Sequence, residues 1–224
     1  VVELGDELLD GRDELDESFR DDDCTEVIAL RGTLCDDPLP VKETIYGSNN
    51  WYYAYGKSSF RDIVSDTRLQ AELSKGLENR PFMTIDDGWQ PESCCGPWIP
   101  NDRFGDMKQM ADAIRRQDVR PGIWVRFLRD PTFKSNDKIR LFNGMMDPTH
   151  PEVLKRIDEQ TRQLSAEWGF ELIKHDFSSV DILGYWGHQM GANIVHPEIH
   201  YYNDWLTSAE AITQFYKTIH DAAA

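Results

Sequence analysis

Two short apolar runs turn abruptly charged at their carboxyl ends. Pro81-Phe82-Met83-Thr84-Ile85 leads into Asp86-Asp87-Gly88-Trp89, and Glu171-Leu172-Ile173 leads into Lys174-His175-Asp176-Phe177. A cation within a few ångströms favours the ionised carboxylate, so Asp176 beside Lys174 suits a nucleophile. Adjacent carboxylates accept hydrogen bonds from vicinal hydroxyls, so Asp86 and Asp87 suit holding a polyol. Trp51, Trp89, Trp98 and Trp124 offer flat apolar faces to a sugar ring. Two carboxylates across a scissile bond are the usual equipment for cleaving a glycoside, and that is one reading of these residues. Each part also has a plainer reading. A strand-end Asp is often a turn residue or helix cap, and a tryptophan is more often core. Asp86, Asp87 and Asp176 with the histidines would also suit Mg²⁺ or Ca²⁺. His196-x-x-x-His200 has helical metal-ligand spacing, but Pro197 interrupts it.

Runs of this form read as buried parallel strands whose last residues face a cleft, where parallel α/β folds place their chemistry. The segments around them supply the crossovers. The aromatic, glycine-bounded stretch Gly47 to Gly56 predicts a first strand. Ser58 to Gly76, with Ile63, Leu69, Leu73 and Leu77, predicts a helix. Asp106 to Gln117 sets Met107, Met110, Ala111 and Ile114 on one helical face, and Pro121 to Phe127 predicts another strand. Pro151 opens a helix with Val153, Leu154, Ile157, Thr161 and Leu164 on one side, ending at Gly169. Beyond the last strand comes a long aromatic loop. Thr207-x-x-Glu210 is then a capping box before Ala211, Ile212, Phe215, Tyr216 and Ile219. A βα unit repeated four times predicts a parallel sheet, either doubly wound or the first half of a (β/α)8 barrel. No glycine-rich nucleotide fingerprint follows the first strand.

The formal charge is -16, with 14 Asp or Glu against 3 Arg in residues 1–40. Phosphate affinity needs a basic surface, so nucleic acid is not an expected partner. The acidic stretch reads as a solvated face. Thr25 to Leu34 is strand-like and runs into Asp36-Asp37-Pro38-Leu39-Pro40, a turn or linker. Residues 1–45 are too short to enclose a core, which predicts an acidic strand-like segment ahead of a domain over 46–224. Cys24, Cys35, Cys94 and Cys95 lack C-x-x-C spacing and read as reduced thiols, which favours the cytoplasm. No apolar run approaches the roughly 20 residues of a membrane span.

An ordered set of motifs carries a resemblance. Asn49-Asn50-Trp51-Tyr52, Ile85-Asp86-Asp87-Gly88-Trp89-Gln90, Pro121-Gly122-Ile123-Trp124 and Leu172-Ile173-Lys174-His175-Asp176-Phe177 resemble the melibiase or α-galactosidase group, glycoside hydrolase family 36 and its clan. Phe104-Gly105-Asp106-Met107-Lys108 and Met146-Asp147-Pro148-Thr149-His150-Pro151 are similar to that family's connecting segments. The resemblance covers residues 45–224. It implies a retaining α-galactosidase on a (β/α)8 TIM barrel, acting on α-galactoside oligosaccharides or glycoconjugates without a metal or organic cofactor. Asp176 matches the family's nucleophile, and Lys174 the lysine that contacts sugar hydroxyls. Asp86 and Asp87 match the pair that binds the galactose 4- and 6-hydroxyls, and Trp51 and Trp124 match pocket positions. Residues 1–45 then resemble the end of a preceding β-sandwich.

The sequence departs from the family in two places. His175 stands where better-known members have an aromatic residue, which leaves the exact substrate open. The family's acid/base comes from a sixth strand, and four βα units stop short of it. The expectation is therefore a longer natural protein and a 224-residue piece that is inactive alone. A half-barrel exposes two sheet edges, so another segment or a homo-oligomer would have to cover them. A galactosyl transglycosidase of the raffinose synthase type and a non-catalytic sugar-binding protein are the other readings of the same residues. A metal-dependent hydrolase or isomerase is a weaker one.

Overall fold

The computed structural model describes residues 43–135 and 138–223. The strand-like run expected over 25–34, the linker, Cys24 and Cys35 lie outside them. Ile45–Ala224 forms a compact unit. Within it run β1 (Gly47–Asn49), α1 (Trp51–Ala54), α2 (Phe60–Leu73), β2 (Phe82–Ile85), α3 (Met107–Arg115) and β3 (Arg120–Val125). There follow α4 (Pro151–Arg162), β4 (Leu172–His175), α5 (Ser178–Leu183) and α6 (Ser208–Ala223). The strands form one parallel sheet in the order β1-β2-β3-β4. This is an alternating α/β unit in which each strand lies beside its sequence neighbour. A doubly wound sheet would reverse its order at a switch point, and none occurs among these four strands.

Strand side chains alternate between two faces. Met83, Ile85, Ile123 and Val125 point toward the helices and join Ile63, Met107, Met110, Ile114, Val153, Ile157 and Phe215 in one core. Burying each such side chain contributes about 1.5–3 kcal/mol. Thr84, Asp86, Gly122, Trp124, Leu172, Lys174 and Asp176 occupy the opposite face. Gly122 is needed there, because a Cβ would lie 2.7 Å from Thr84 Oγ1 and 3.3 Å from Leu172 Cδ2.

Helices α3 and α4 bury the predicted faces: Met107, Met110, Ala111 and Ile114 on one, Val153, Ile157 and Thr161 on the other. The capping box of α6 forms reciprocally, with Thr207 N–H donating to Glu210 Oε2 at 2.8 Å and Glu210 N–H to Thr207 Oγ1 at 3.3 Å. Three local expectations need correction. The strand expected over Gly47 to Gly56 ends at Asn49, and Trp51–Ala54 is a single helical turn. Helix α2 buries Ile63 and Thr67, whereas Leu69, Leu73 and Leu77 stay exposed. Those leucines line an open groove beside β1 with Tyr46 and Met83. The long aromatic loop after β4 contains α5, which periodicity could not reveal because it spans only Ser178–Leu183.

Candidate active site

Asp86 follows β2, and Lys174 and Asp176 sit on and just beyond β4, so the strand ends bring these three residues together. Asp176 is held from several sides. Its backbone N–H donates to the Val125 carbonyl at 2.9 Å, which continues the β3–β4 ladder by one bond. Oδ1 accepts the Phe177 N–H at 2.8 Å, and Oδ2 accepts the Trp124 indole N–H at 3.0 Å. Lys174 Nζ lies 4.0 Å from that same Oδ2.

Lys174 also donates to Asp86 Oδ2 at 2.8 Å. Asn49 Nδ2 donates to that same oxygen, and the Asp87 N–H donates to Asp86 Oδ1 at 2.9 Å. The Asp86 N–H in turn donates to Asn50 Oδ1 at 2.7 Å, and the Asn50 amide is anchored on Ser58 Oγ at 2.7 Å. The Asp86 side chain is 4% exposed, against 42% for Lys174 and 40% for Asp176. Asp86 is thus the buried anchor, and the other two leave their charged groups partly exposed.

Asp87 turns the other way. Its carboxylate accepts Gln90 Nε2 at 2.5 Å, Ser93 Oγ at 2.6 Å and the Cys94 N–H at 2.9 and 3.0 Å. With both oxygens occupied, it ties the loop from Gly88 to Cys94 into a fixed shape. Cys94 and Cys95 are free thiols, and burial with the nearby Asp87 carboxylate pushes the Cys94 thiol up.

Trp89, Trp98 and Trp124 are buried and pack edge-on or tilted, with ring centroids 5.9–6.0 Å apart. Trp89 donates its indole N–H to the Trp124 carbonyl at 2.8 Å. Trp124 therefore meets the site through its N–H rather than through a ring face. Trp51 is half-buried at the start of α1, its N–H on Asn49 Oδ1 at 2.8 Å. His175 points to the helix side of the sheet, where its ring meets Tyr216 at 5.0 Å and Phe215 at 6.0 Å. Burial holds its imidazole below the ordinary histidine range, with Asp176 pulling the other way. His196 stacks on Phe142 at 4.3 Å.

A cleft of about 590 Å³ opens over the inner face, lined by Asn49, Tyr52, Phe82, Thr84, Leu172 and Lys174. A second, of about 380 Å³, lies beyond β4 between Asp176, Phe177, Tyr185, Trp186 and Met190. The arrangement can do two things: present an oriented, ionised carboxylate to an electrophilic carbon, and hold a hydroxylated ring beside it through Lys174 and Asp86. Asn49, Asn50, Arg126 and Asp181 are site residues that charge patterning alone does not single out. The signal for the asparagines is a polar pair at the end of β1, matching the polar ends of β2 and β4. Among the described residues no helix is long and apolar enough to cross a membrane.

No family model matches the chain, and no curated protein matches it. Solved structures do. The α-galactosidase of Thermus thermophilus in complex with stachyose gives a TM-score of 0.61 at 20% identity, over 89% of this chain and 42% of its own. A glycoside hydrolase family 36 α-galactosidase of Geobacillus stearothermophilus gives 0.56 at 18% identity, over 81% and 26%. A Bacillus halodurans protein with an unconfirmed α-N-acetylgalactosaminidase assignment gives 0.54 at 17% identity, over 84% and 48%. The chain spans less than half the length of each of these structures. At such identities the likeness is one of fold, and the described unit shares the fold of the matched portions of these glycosidases.

Proposed function

We propose that this chain is the first half of a (β/α)8 barrel in a retaining glycoside hydrolase of family 36 type, acting on terminal α-galactosides. The observation that carries the reading is the relay Asp86–Lys174–Asp176, in which one ammonium bridges a buried acceptor and an exposed, doubly hydrogen-bonded carboxylate. The solved neighbours support it, since the Thermus enzyme was crystallised with stachyose.

In the proposed mechanism, Asp176 attacks the anomeric carbon while a carboxylic acid protonates the departing glycosidic oxygen. The bond to the aglycone breaks as the ester to Asp176 forms. Water, deprotonated by the same acid/base, then cleaves that ester and returns the free carboxylate. Phe177 N–H and Trp124 Nε1–H fix the carboxylate oxygens, which spares reorganisation at the moment of attack. Lys174 and Asp86 hold the ring hydroxyls. Asp87 holds the loop from Gly88 to Cys94 beside the site, and Tyr52 borders the cleft. The acid/base is assigned to a strand beyond the four described.

The test is release of nitrophenol from a nitrophenyl α-galactoside by the full-length protein, with Asp176→Ala beside it. Turnover that vanishes in the variant supports the assignment. Galactose binding with no turnover by either protein would favour a sugar-binding role, and mainly transfer products would favour a transglycosidase.

A further inference from the structure

Phe177, the residue after Asp176, adopts the left-handed conformation at φ 61°, ψ 5°. A bulky non-glycine residue there costs about 1–3 kcal/mol and persists only where its surroundings over-determine it. The Phe177 N–H, in the peptide plane it shares with Asp176, donates to Asp176 Oδ1, so whatever holds Phe177 in place also holds that donor.

The surroundings that hold it form a closed circuit. The Arg126 guanidinium lies over the Phe177 ring, 4.3 Å from its centroid, and Trp186 meets the ring edge-on at 5.7 Å. Arg126 is forked onto Asp181, with Nε to Oδ2 at 2.8 Å and Nη2 to Oδ1 at 2.5 Å. Both members are buried, and such a two-bond fork fixes orientation as well as charge. Asp181 is tied back to the start, because its N–H donates to the Phe177 carbonyl at 2.9 Å. Its own carbonyl accepts Asn143 Nδ2 at 3.0 Å. Arg126 also directly follows Val125, whose carbonyl holds the Asp176 N–H. Burial pushes the Asp181 carboxyl up while Arg126 pulls it back down, and Asp181 holds the guanidinium charged.

We propose that Arg126, locked by Asp181, is a positioning residue that clamps Phe177 in its left-handed conformation and so orients the Asp176 carboxylate. The inference rests on the assignment of Asp176 as nucleophile. Among the described residues, the Asp176 carboxylate takes its hydrogen bonds from Phe177 and Trp124 rather than from the Arg126–Asp181 fork. The effect of the fork runs through the Phe177 ring and backbone.

The experiment uses the full-length protein with Arg126→Met, Phe177→Gly and the double variant. Glycine removes the ring while leaving the left-handed conformation open. Arg126→Met is expected to lower kcat about 10- to 100-fold, the range set by misplacing a reacting group, with galactose affinity held within about twofold. Hydrogen exchange at the Phe177 amide is expected to lose at least about tenfold protection. In the Phe177→Gly background Arg126→Met should cost nothing further, since the ring it grips is gone. Unchanged amide exchange in Arg126→Met, additive losses in the cycle, or parallel loss of galactose affinity would each overturn the inference. Should Arg126→Met not fold, Asp181→Asn loosens the same fork and carries the same readouts. A wild type without turnover whose Phe177 amide still depends on Arg126 overturns the proposed function and leaves the clamp standing.

Discussion

Lys174 and Asp86, 88 residues apart in the chain, meet at 2.8 Å across the inner face of the sheet. Neither is adjacent in strand order to the other, since β3 lies between β2 and β4. On the intervening strand the register partner of Lys174 is Trp124, so the lysine reaches past that residue to Asp86. Lys174→Met leaves a buried carboxylate without its cation and removes a donor from the sugar hydroxyls. Galactose affinity is expected to fall about tenfold or more, as for other hydrogen bonds to charged groups. Asp86→Asn should do the same, and the double variant should cost less than the sum, as read by calorimetry.

Asp176→Asn keeps the Trp124 and Phe177 donors within reach of an oxygen but removes the attacking charge. In the full-length protein kcat is expected to fall about a thousandfold or more, while the unfolding midpoint stays close to wild type. An active Asp176→Asn protein would remove the nucleophile assignment.

Gly88 has φ +104°, and a Cβ there would run into the backbone of Gly56. Asn101 Nδ2 and Arg103 Nη2 both donate to the Gly88 carbonyl, at 2.9 and 2.6 Å, so the loop cannot swing aside. Gly88→Ala is expected to destabilise the protein by about 2 kcal/mol or more, measured by denaturant unfolding.

His175 makes stability pH-dependent. Its folded value lies below the ordinary 6.5 because burial disfavours the charged ring. The unfolded chain therefore binds the proton first as pH falls, so stability is full above about 6.5 and is lost as pH drops through that value toward the folded one. His175→Phe should flatten this part of a plot of unfolding midpoint against pH. An unchanged slope would assign the dependence to another group.

The strands at Phe82–Ile85, Arg120–Val125 and Leu172–His175 were legible because each is an apolar run bounded by charge, glycine or proline. Helices α3 and α4 were legible because their buried residues recur at helical spacing. The one-turn helix at Trp51–Ala54 and the six-residue α5 are shorter than a period signal can resolve, and tertiary contacts decide them. In the site, Lys174, Asp86 and Asp176 stood out as charges at strand ends. The Arg126–Asp181 fork did not, since its partners are 55 residues apart and nothing local marks either as buried. The burial of Trp89, Trp98 and Trp124 agrees with the plainer reading of these residues as core; composition shows how much aromatic surface exists, and not whether a ring face or an N–H meets the cleft.

His175 and its neighbours Lys174 and Asp176 lie on opposite sides of a sheet one residue thick. One step along β4 therefore changes a side chain's neighbours, from the rings of Phe215 and Tyr216 at His175 to Asp86 and Trp124 at Lys174 and Asp176. A substitution at 175 is expected to be felt first in how the last helix seats, and one at 174 or 176 in the charges at the strand ends.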